Sequence, residues 1–406
     1  MTTATSGPAS TSDADDSSQH EFPSWEAQLH TLLGIPATHG NEIRVLRNGD
    51  EIFPAMLAAI DAAQETIDIV TFVYWAGDVG ERFAEHLSSA AKRGCRVRVL
   101  LDAVGTRKMD DEVLEMMASA GCDVRKFRPI IDGDDGIGEV NHRTHRKILV
   151  CDASVGFTGG VGIADEWAGD ARTPDEWRDT HVAVRGPAVA GLSAAFIDNW
   201  ADEDDRGFRA RTERVVDLES RPGSSTCIVV RGSSSSGATD INRLLLSLIQ
   251  LAQHRLRIST AYFNPDAGLI DGLCEAVERG VEVQILVPGE HADKRFVQLN
   301  SEGDYQRVLD AGIDLRTYER SMLHTKVVTV DGGVVSIGSA NFNQRSMQLD
   351  DECNLVIADP DVVAVFDRHF DDDLQTSVEL DPERWAERSL LQRAGERAAS
   401  VFDRWL

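Results

Sequence analysis

Hydrophobic and polar positions follow one pattern twice along this chain. In segment 91–101 a helical stretch ends at a glycine and alternating apolar residues follow, and segment 277–287 repeats this arrangement. Upstream of each, a helical stretch leads into an apolar strand, at 55–74 in the first copy and 244–263 in the second. Strands that alternate with helices in this way predict the α/β class, with sandwiches built on a parallel or mixed sheet.

The repeat predicts two homologous halves, at 42–218 and 225–375, related by a pseudo-twofold axis with the functional site at their interface. Segment 221–225, which is rich in Pro, Gly and Ser, is expected to link them. Residues 1–24 lack apolar clusters and predict a disordered tail. Residues 376–406 predict an amphipathic helix, which fits either docking on the protein's own core or contact with a membrane interface.

Both halves contain a short motif of one spacing: His, one residue, Lys, four residues and Asp. Each copy lies on an apolar run and is followed by a turn of small residues. In a strand, alternate side chains face the same way, so the His and Lys of one motif are expected to share a face. The catalytic candidates are His145, Lys147 and Asp152 in the first motif and His324, Lys326 and Asp331 in the second.

These residue types suit the cleavage of a phosphodiester. The reaction needs a nucleophile, a proton donor for the leaving oxygen and positive charge around the phosphate. Two imidazoles can divide the first two roles, and two ammonium groups can bind the non-bridging oxygens. Asp152 and Asp331 are weaker candidates, because an Asp before a glycine-containing turn is often a turn former.

Composition narrows the class of substrate. The formal net charge of −27 and the pI of about 4.7 disfavour nucleic acid, so none is predicted as a partner. Arginine supplies most of the positive charge, and the motif lysines are two of only six, which indicates that a compact cation is needed there. The six cysteines are scattered without a Cys-x-x-Cys pair and predict free thiols in a reducing cytoplasm.

The motif surroundings extend the pattern to most of the chain, roughly residues 42–373. With these flanking runs the sequence resembles the bacterial cardiolipin synthases of the phospholipase D superfamily. It resembles their shorter forms, because no run of about 18 apolar residues predicts a transmembrane helix. The runs that resemble the family are Asn141–Lys147, Thr158–Gly160, Asp165–Trp167, Trp177–His181, Tyr262–Pro265, Gly338–Phe342, Arg345–Ser346 and Glu352–Asn354. Two positions depart from the family pattern: Gly162 stands where Asn is usual, and Asn343 stands where Asp is common.

The resemblance implies transfer of a phosphatidyl group through a phosphohistidine, with no metal and no cofactor. It implies His145 as the nucleophile and His324 as the general acid and then base, although the pseudo-symmetry leaves the reverse order open. Asp179 and Glu352 would orient the imidazoles, each across the interface, with an ordinary arginine ion pair as the alternative. The full set assigned to substrate binding or orientation is Asp179, Ser339, Asn341, Glu352, Arg143 and His142.

The cluster His142 to Lys147 is expected to form a basic patch that attracts a lipid phosphate. Phospholipids, with phosphatidylglycerol first among them, are the expected partners of a monomeric protein that is cytoplasmic and peripherally associated with the membrane. Three alternatives stay open. These alternatives are a phospholipase D that uses water as acceptor, a nuclease or other phosphodiesterase, and a lipid-binding scaffold without activity.

Overall fold

The computed structural model describes residues 24–129, 141–203, 213–233, 240–293 and 305–387, and all structural statements below concern these ranges. Seventeen strands are numbered in chain order: β1 Thr38–Arg47, β2 Thr66–Thr71, β3 Arg96–Asp102, β4 Asp123–Phe127, β5 Ile148–Cys151, β6 Val155–Gly159, β7 Thr180–Arg185, β8 Ser225–Gly232, β9 Arg255–Thr260, β10 Phe263–Asn264, β11 Glu282–Pro288, β12 Asp314–Tyr318, β13 Lys326–Val330, β14 Val334–Gly338, β15 Phe342–Asn343, β16 Glu352–Ala358 and β17 Ser377–Glu379.

Helices alternate with these strands, as the sequence pattern predicts. They span Trp25–Leu33, Asn48–Ala62, Asp78–Lys92, Asp111–Ser119, Val189–Asp202, Asp240–Leu251, Ala267–Glu278, Gln344–Gln348, Pro360–Leu374 and Pro382–Ala386. A short 3-10 turn covers Asp165–Trp167, and residues 305–310 are also helical. None of the helices in the described ranges is both long and apolar enough to cross a membrane.

Strand order repeats about the centre of one mixed sheet. Fifteen strands lie in the order β17-β12-β11-β9-β13-β14-β16-β8-β1-β7-β6-β5-β2-β3-β4. Reading outwards from the antiparallel β8–β1 pair, each side presents the same sequence of strands, and β17 adds one more at an edge. The α/β class and the two homologous halves are therefore confirmed.

Three large hydrophobic cores contain most of the buried apolar residues of the described ranges, and a small fourth cluster contains Leu286, Tyr318, Leu323 and Phe370. One packs helices 48–62, 78–92 and 111–119 on the first-half sheet, and a second is its counterpart in the second half. The third lies between the halves, where residues of β7 meet residues of β14 and β16 beneath helices 189–202 and 360–374. Since each fully buried Leu, Ile or Val stabilises a fold by about 2 kcal/mol, this third core holds the halves in one relative position.

Several local predictions differ from the structure. The motif histidines were expected within strands, but β5 begins at Ile148 and β13 at Lys326, so both imidazoles lie in the segments just before them. Segment 376–406 is not one helix from its start, because 377–379 is the edge strand β17. The predicted tail 1–24 and the apolar stripe beyond 387 fall almost entirely outside the described residues. The proposed boundaries of the halves stay predictions.

Asp152 and Asp331 close their strands in the same way. Both have positive φ angles, of 52° and 51°, in the left-handed region that Asp tolerates better than most residues. The Asp152 carboxylate accepts three backbone N–H groups, from residues 64 to 66, each at 2.8 Å. The Asp331 carboxylate does the same for residues 253 to 255, at 2.8 to 2.9 Å.

Catalytic contact is therefore not the role of these two carboxylates. A strand rises about 3.3 Å per residue, so each Asp lies roughly 16 Å along the chain from the Lys of its own motif. The structure corrects the assignment of Asp152 and Asp331 to catalysis. They tie the end of the motif strand to the backbone at the start of the neighbouring β2 or β9.

We expect Asp152→Ala to lower the free energy of unfolding by about 2 kcal/mol, because three amides lose a charged acceptor and Ala tolerates positive φ poorly. Urea unfolding followed by circular dichroism measures this. Activity per folded molecule should stay within about twofold of the parent. Asp152→Asn, which keeps an acceptor oxygen, is the control and should lose less. A large loss of turnover at unchanged stability would return Asp152 to the catalytic set.

Candidate active site

Backbone pairing between the halves places the first motif histidine against the second half. Thr144 forms an isolated parallel bridge with Asp351. The amide of His145 donates to the carbonyl of Asp351 at 2.9 Å, and the amide of Asp351 donates to the carbonyl of Arg143 at 2.8 Å. This bridge brings Glu352, the next residue along, to the His145 side chain.

A second bridge mirrors the first. Arg178 pairs in parallel with Leu323, its amide donates to the carbonyl of Met322 at 2.9 Å, and the amide of His324 donates to the carbonyl of Arg178 at 2.7 Å. Asp179 follows and so reaches His324. Two equivalent backbone bridges, related by the pseudo-twofold axis, thus place each histidine next to a carboxylate of the other half.

Each imidazole is held by a carboxylate from the other half. His145 Nδ1 lies 3.0 Å from Glu352 Oε1, and His324 Nδ1 lies 2.8 Å from Asp179 Oδ2. Both carboxylates are fully buried, and the two histidines are 8% and 6% exposed. A carboxylate at Nδ1 fixes the proton there and leaves Nε2 as the reactive nitrogen of each ring. Among the described residues, no arginine forms an ion pair with either carboxylate, which was the alternative.

An ion pair behind His324 anchors this arrangement. The guanidinium of Arg178 donates to both carboxylate oxygens of Asp373, at 2.9 and 3.0 Å, and both residues are buried. Asp373 belongs to helix 360–374 of the second half and also accepts from Arg47 at 2.9 Å. The segment that presents Asp179 is therefore tied to the second half by charge as well as by backbone.

The motif lysines lie beside their histidines. Lys147 Nζ donates to the carbonyl of His145 at 2.7 Å, and Lys326 Nζ donates to the carbonyl of His324 at 2.7 Å. Lys326 Nζ also lies 3.1 and 3.3 Å from the two ring nitrogens of His324. Burial lowers the pKa of Lys147 to about 8 and that of Lys326 to about 7, because it outweighs the opposing effect of nearby carboxylates such as Glu352 and Asp179.

Burial and charge also set the state of the His145–Glu352 pair. The pKa of His145 is lowered to about 4, chiefly by burial and also by the charge of Lys147, and Glu352 opposes both effects. Burial disfavours the Glu352 carboxylate, but His145, Lys147 and Ser339 outweigh it and hold its pKa below the ordinary value. His145 is thus neutral with a lone pair on Nε2, which is the form that a nucleophile needs. Burial raises the pKa of Asp179, against the effects of Lys326 and Trp167.

Ser339 and Asn341 have different surroundings. Ser339 Oγ donates to the Glu352 carboxylate and accepts from the amide of Cys353 at 3.0 Å, so the structure gives it an orienting position. Asn341 is 4% exposed, and its Oδ1 has no hydrogen-bond partner within the described part of the chain. An unpartnered buried amide oxygen costs stability, which makes Asn341 a candidate for contact with substrate.

The first half has glycines at the corresponding positions. A Cβ on Gly160 would lie 2.3 Å from Asp179 Oδ1, and one on Gly162 would lie 2.7 Å from the Val73 side chain. Trp167 takes the place of the missing hydroxyl, because its Nε1 donates to Asp179 Oδ2 at 2.9 Å. The departure at Gly162 is therefore matched by a bulky ring that fills the space.

Aromatic rings contact both histidines, and the sequence analysis assigned these rings no role. The centroid of the Phe72 ring lies 5.2 Å from that of His145. Trp167 and Trp177 lie 5.0 and 5.3 Å from His324. Trp167 and Trp177 stand in runs that resemble the family, but their spacing gave no signal of contact with the second motif.

The predicted basic patch does not form on the surface. Arg143 is 2% exposed, and its guanidinium donates to Asp102 at 2.9 Å and to the carbonyl of Phe127 at 2.6 Å. Arg146 is fully buried among backbone carbonyls. The ring of His142 lies 2.9 Å from the carbonyl of Leu349. The assignment of Arg143 to phosphate attraction is corrected, because its guanidinium already binds the protein. The contact of His142 with substrate stays a prediction, since the bond to Leu349 involves only its Nδ1.

Within the described ranges, no three His, Cys, Asp or Glu side chains are arranged to hold a metal ion. All six cysteines are free, and five of them are buried. The chemistry available at this site therefore comes from two imidazoles, two ammonium groups and two orienting carboxylates that converge from both halves.

Comparison with known proteins agrees with this geometry. The family model described as cardiolipin synthase, PLD-like domain, matches residues 56–168 and 245–374, once in each half. The chain is 33% identical to cardiolipin synthase 2 of Bacillus anthracis over 87% of its own length and 69% of that protein. It is 31% identical to a cardiolipin synthase of Geobacillus kaustophilus, over 90% of this chain and 73% of that protein.

A solved structure shares the fold at lower identity. Phosphatidylserine synthase of Haemophilus influenzae superposes with a TM-score of 0.72 and 17% identity, over 93% of this chain and 97% of that one. The family model matches both halves, and the two relatives are 33% and 31% identical over most of this chain. The chain belongs to the cardiolipin synthase family of phospholipase D-like proteins.

Proposed function

We propose that this protein transfers a phosphatidyl group from one phospholipid to another, with phosphatidylglycerol as donor and acceptor. The observation that carries the proposal is the reciprocal pairing of Glu352 with His145 and of Asp179 with His324. This pairing occupies both Nδ1 atoms and leaves both Nε2 atoms available beside the two ammonium groups. The ring of His145 is neutral. Family membership supports phospholipid substrates, and the free thiols support a reducing compartment.

In the first step, His145 Nε2 attacks the donor phosphorus and forms a P–N bond. The bond from phosphorus to the oxygen of the head-group glycerol breaks, and His324 Nε2–H gives its proton to that oxygen. Lys147 and Lys326 neutralise the phosphate oxygens, which carry more charge in the transition state than in the substrate. The pKa of about 4 at His145 leaves its Nε2 lone pair free at neutral pH, as a nucleophile requires.

In the second step, the hydroxyl oxygen of the acceptor lipid attacks the same phosphorus. Its proton passes to His324 Nε2, the P–N bond breaks, and the electron pair returns to His145 Nε2. Water in place of the lipid gives phosphatidic acid instead, which is the hydrolase alternative. One chain supplies both histidines, so a monomer working at the membrane surface contains the full set.

Lipid product analysis by mass spectrometry tests the function. The purified protein is incubated with phosphatidylglycerol vesicles, alone and with phosphatidylethanolamine, beside His145→Ala and His324→Ala. We expect cardiolipin from the parent protein and none from either variant, because each lacks one of the two proton-handling or attacking nitrogens. Phosphatidic acid as the sole product would favour the hydrolase, and no lipid turnover would contradict the proposal.

Substitution of the orienting carboxylates tests the cross-half pairing. Glu352→Gln and Asp179→Asn should each lower kcat about 100-fold, because the amide no longer fixes the proton at Nδ1. Cardiolipin formation per folded molecule is the measurement. Asp61→Asn, which removes an exposed carboxylate that lies 2.7 Å from His86 Nδ1, is the matched control and should change little. Loss of activity in the control alone, or in none of the three, would contradict the pairing.

The pH profile of kcat/KM should rise through about pH 4 and fall above about pH 7. Below its pKa, His145 carries a proton on Nε2 and cannot attack, so the rate falls as pH falls. Above its pKa, Lys326 loses the charge that binds phosphate, so the rate falls as pH rises. Initial rates measured at constant ionic strength, with folding checked by circular dichroism, test this. An acidic limb near the ordinary imidazole value of about 6.5 would contradict a neutral, buried nucleophile.

Bound substrate should move the basic limb. The anionic phosphate stabilises the ammonium form of Lys326, so the fall in kcat is expected at a higher pH than the fall in kcat/KM. Equal positions of the two limbs would mean that Lys326 does not contact the phosphate.

A further inference from the structure

The two motif histidines differ in the aromatic side chains that surround them. Among the residues that the structure describes, one aromatic ring, that of Phe72, contacts His145, and Lys147 Nζ lies 5.6 Å from the centre of that ring. His324 lies between Trp167 and Trp177, whose ring centres are 4.4 Å apart. The pseudo-twofold axis relates the histidines but not their surroundings, so the two sides are suited to different parts of the reaction.

The tryptophan wall continues outwards to a third ring. Trp75 lies 6.2 Å from Trp167 and 6.5 Å from Trp177, centre to centre. Trp75 and Trp177 are half-buried, whereas Trp167 is 1% exposed. The wall therefore starts in the protein interior beside His324 and reaches solvent at Trp75.

An exposed lysine stands at the outer end of this wall. Lys108 Nζ lies 4.0 Å from the centre of the Trp75 ring, a cation–π contact. Two hydrogen bonds tie its loop to residues 75 and 76: the ring Nε1 of Trp75 donates to the carbonyl of Gly105 at 2.9 Å, and the backbone amide of Ala76 donates to the carbonyl of Lys108 at 2.9 Å. The ammonium group is thus positioned by the fold.

The direction of the chemistry assigns this side to the alcohol. If His145 attacks phosphorus, the leaving alcohol departs on the opposite side, where His324 stands to protonate it. The acceptor alcohol attacks along the same line and needs the same space. An acceptor phospholipid brings a glycerol and a phosphate of its own, whereas water brings neither. A transferase therefore gains from a surface that holds this second phosphate close to His324.

We propose that Trp177, Trp75 and Lys108 form the acceptor subsite, which binds the head group of a second anionic phospholipid. The indole faces contact the C–H groups of the glycerol and exclude water, and the Lys108 ammonium binds the second phosphate. The inference rests on the proposed transferase function and adds to it the choice between lipid and water as acceptor.

Lys108→Met tests the subsite through the ratio of cardiolipin to phosphatidic acid formed from phosphatidylglycerol. We expect this ratio to fall about tenfold, because a charge-assisted contact to the acceptor phosphate is lost. Total donor consumption should stay within about twofold of the parent, since the first step does not involve that phosphate. Lys108→Arg should restore most of the ratio. Lys92→Met, at the far end of helix 78–92, is the matched control and should leave the ratio unchanged.

A soluble acceptor separates recognition of the phosphate from a structural effect. With labelled glycerol as acceptor and phosphatidylglycerol as donor, exchange of the head group should be equal in Lys108→Met and the parent, because glycerol carries no phosphate. An unchanged product ratio, or an equal loss with glycerol and with lipid as acceptors, overturns the subsite. A parent protein that turns over no phospholipid contradicts the proposed function itself, which is a different result.

Discussion

The hydrogen bond between an imidazole of one half and a carboxylate of the other is the constraint on which the rest of the structure depends. Glu352 and Asp179 act at 3.0 and 2.8 Å, and such contacts weaken steeply if the donor and acceptor move or turn apart. The halves must therefore keep one relative position. The parallel bridges at Thr144 and Arg178 and the core between the halves supply that rigidity.

Burial then decides the charge states within this frame. The two ammonium groups lie in a region that disfavours charge, so the pKa values of Lys147 and Lys326 fall towards neutrality. The same burial keeps His145 neutral beside an ionised Glu352. A phosphate that enters this site places negative charge beside the two ammonium groups, so bound substrate stabilises their charged form. The asymmetric tryptophan wall then gives the two equivalent motifs different surroundings.

Much of the fold and of the site was predictable from sequence, for reasons that particular residues make clear. The repeated glycines after helices, at Gly94 and Gly280, are local signals and were interpreted correctly. The predicted patch around Arg143 failed because sequence shows where charges lie along the chain but not what they contact. Asp102, the partner that buries Arg143, lies 41 residues away. Trp167 likewise meets His324 only through folding.

The sequence by itself determined the two halves, the paired motifs and the class of chemistry, because periodicity and motif spacing are properties of neighbouring residues. Only the tertiary structure decided that Asp152 and Asp331 hold strand ends, that Arg143 is buried in an ion pair, and that the aromatic surroundings of His145 and His324 differ. These outcomes depend on contacts across the pseudo-twofold axis or between strand ends. Such contacts form where two surfaces pack, and packing depends on the shape of the whole chain.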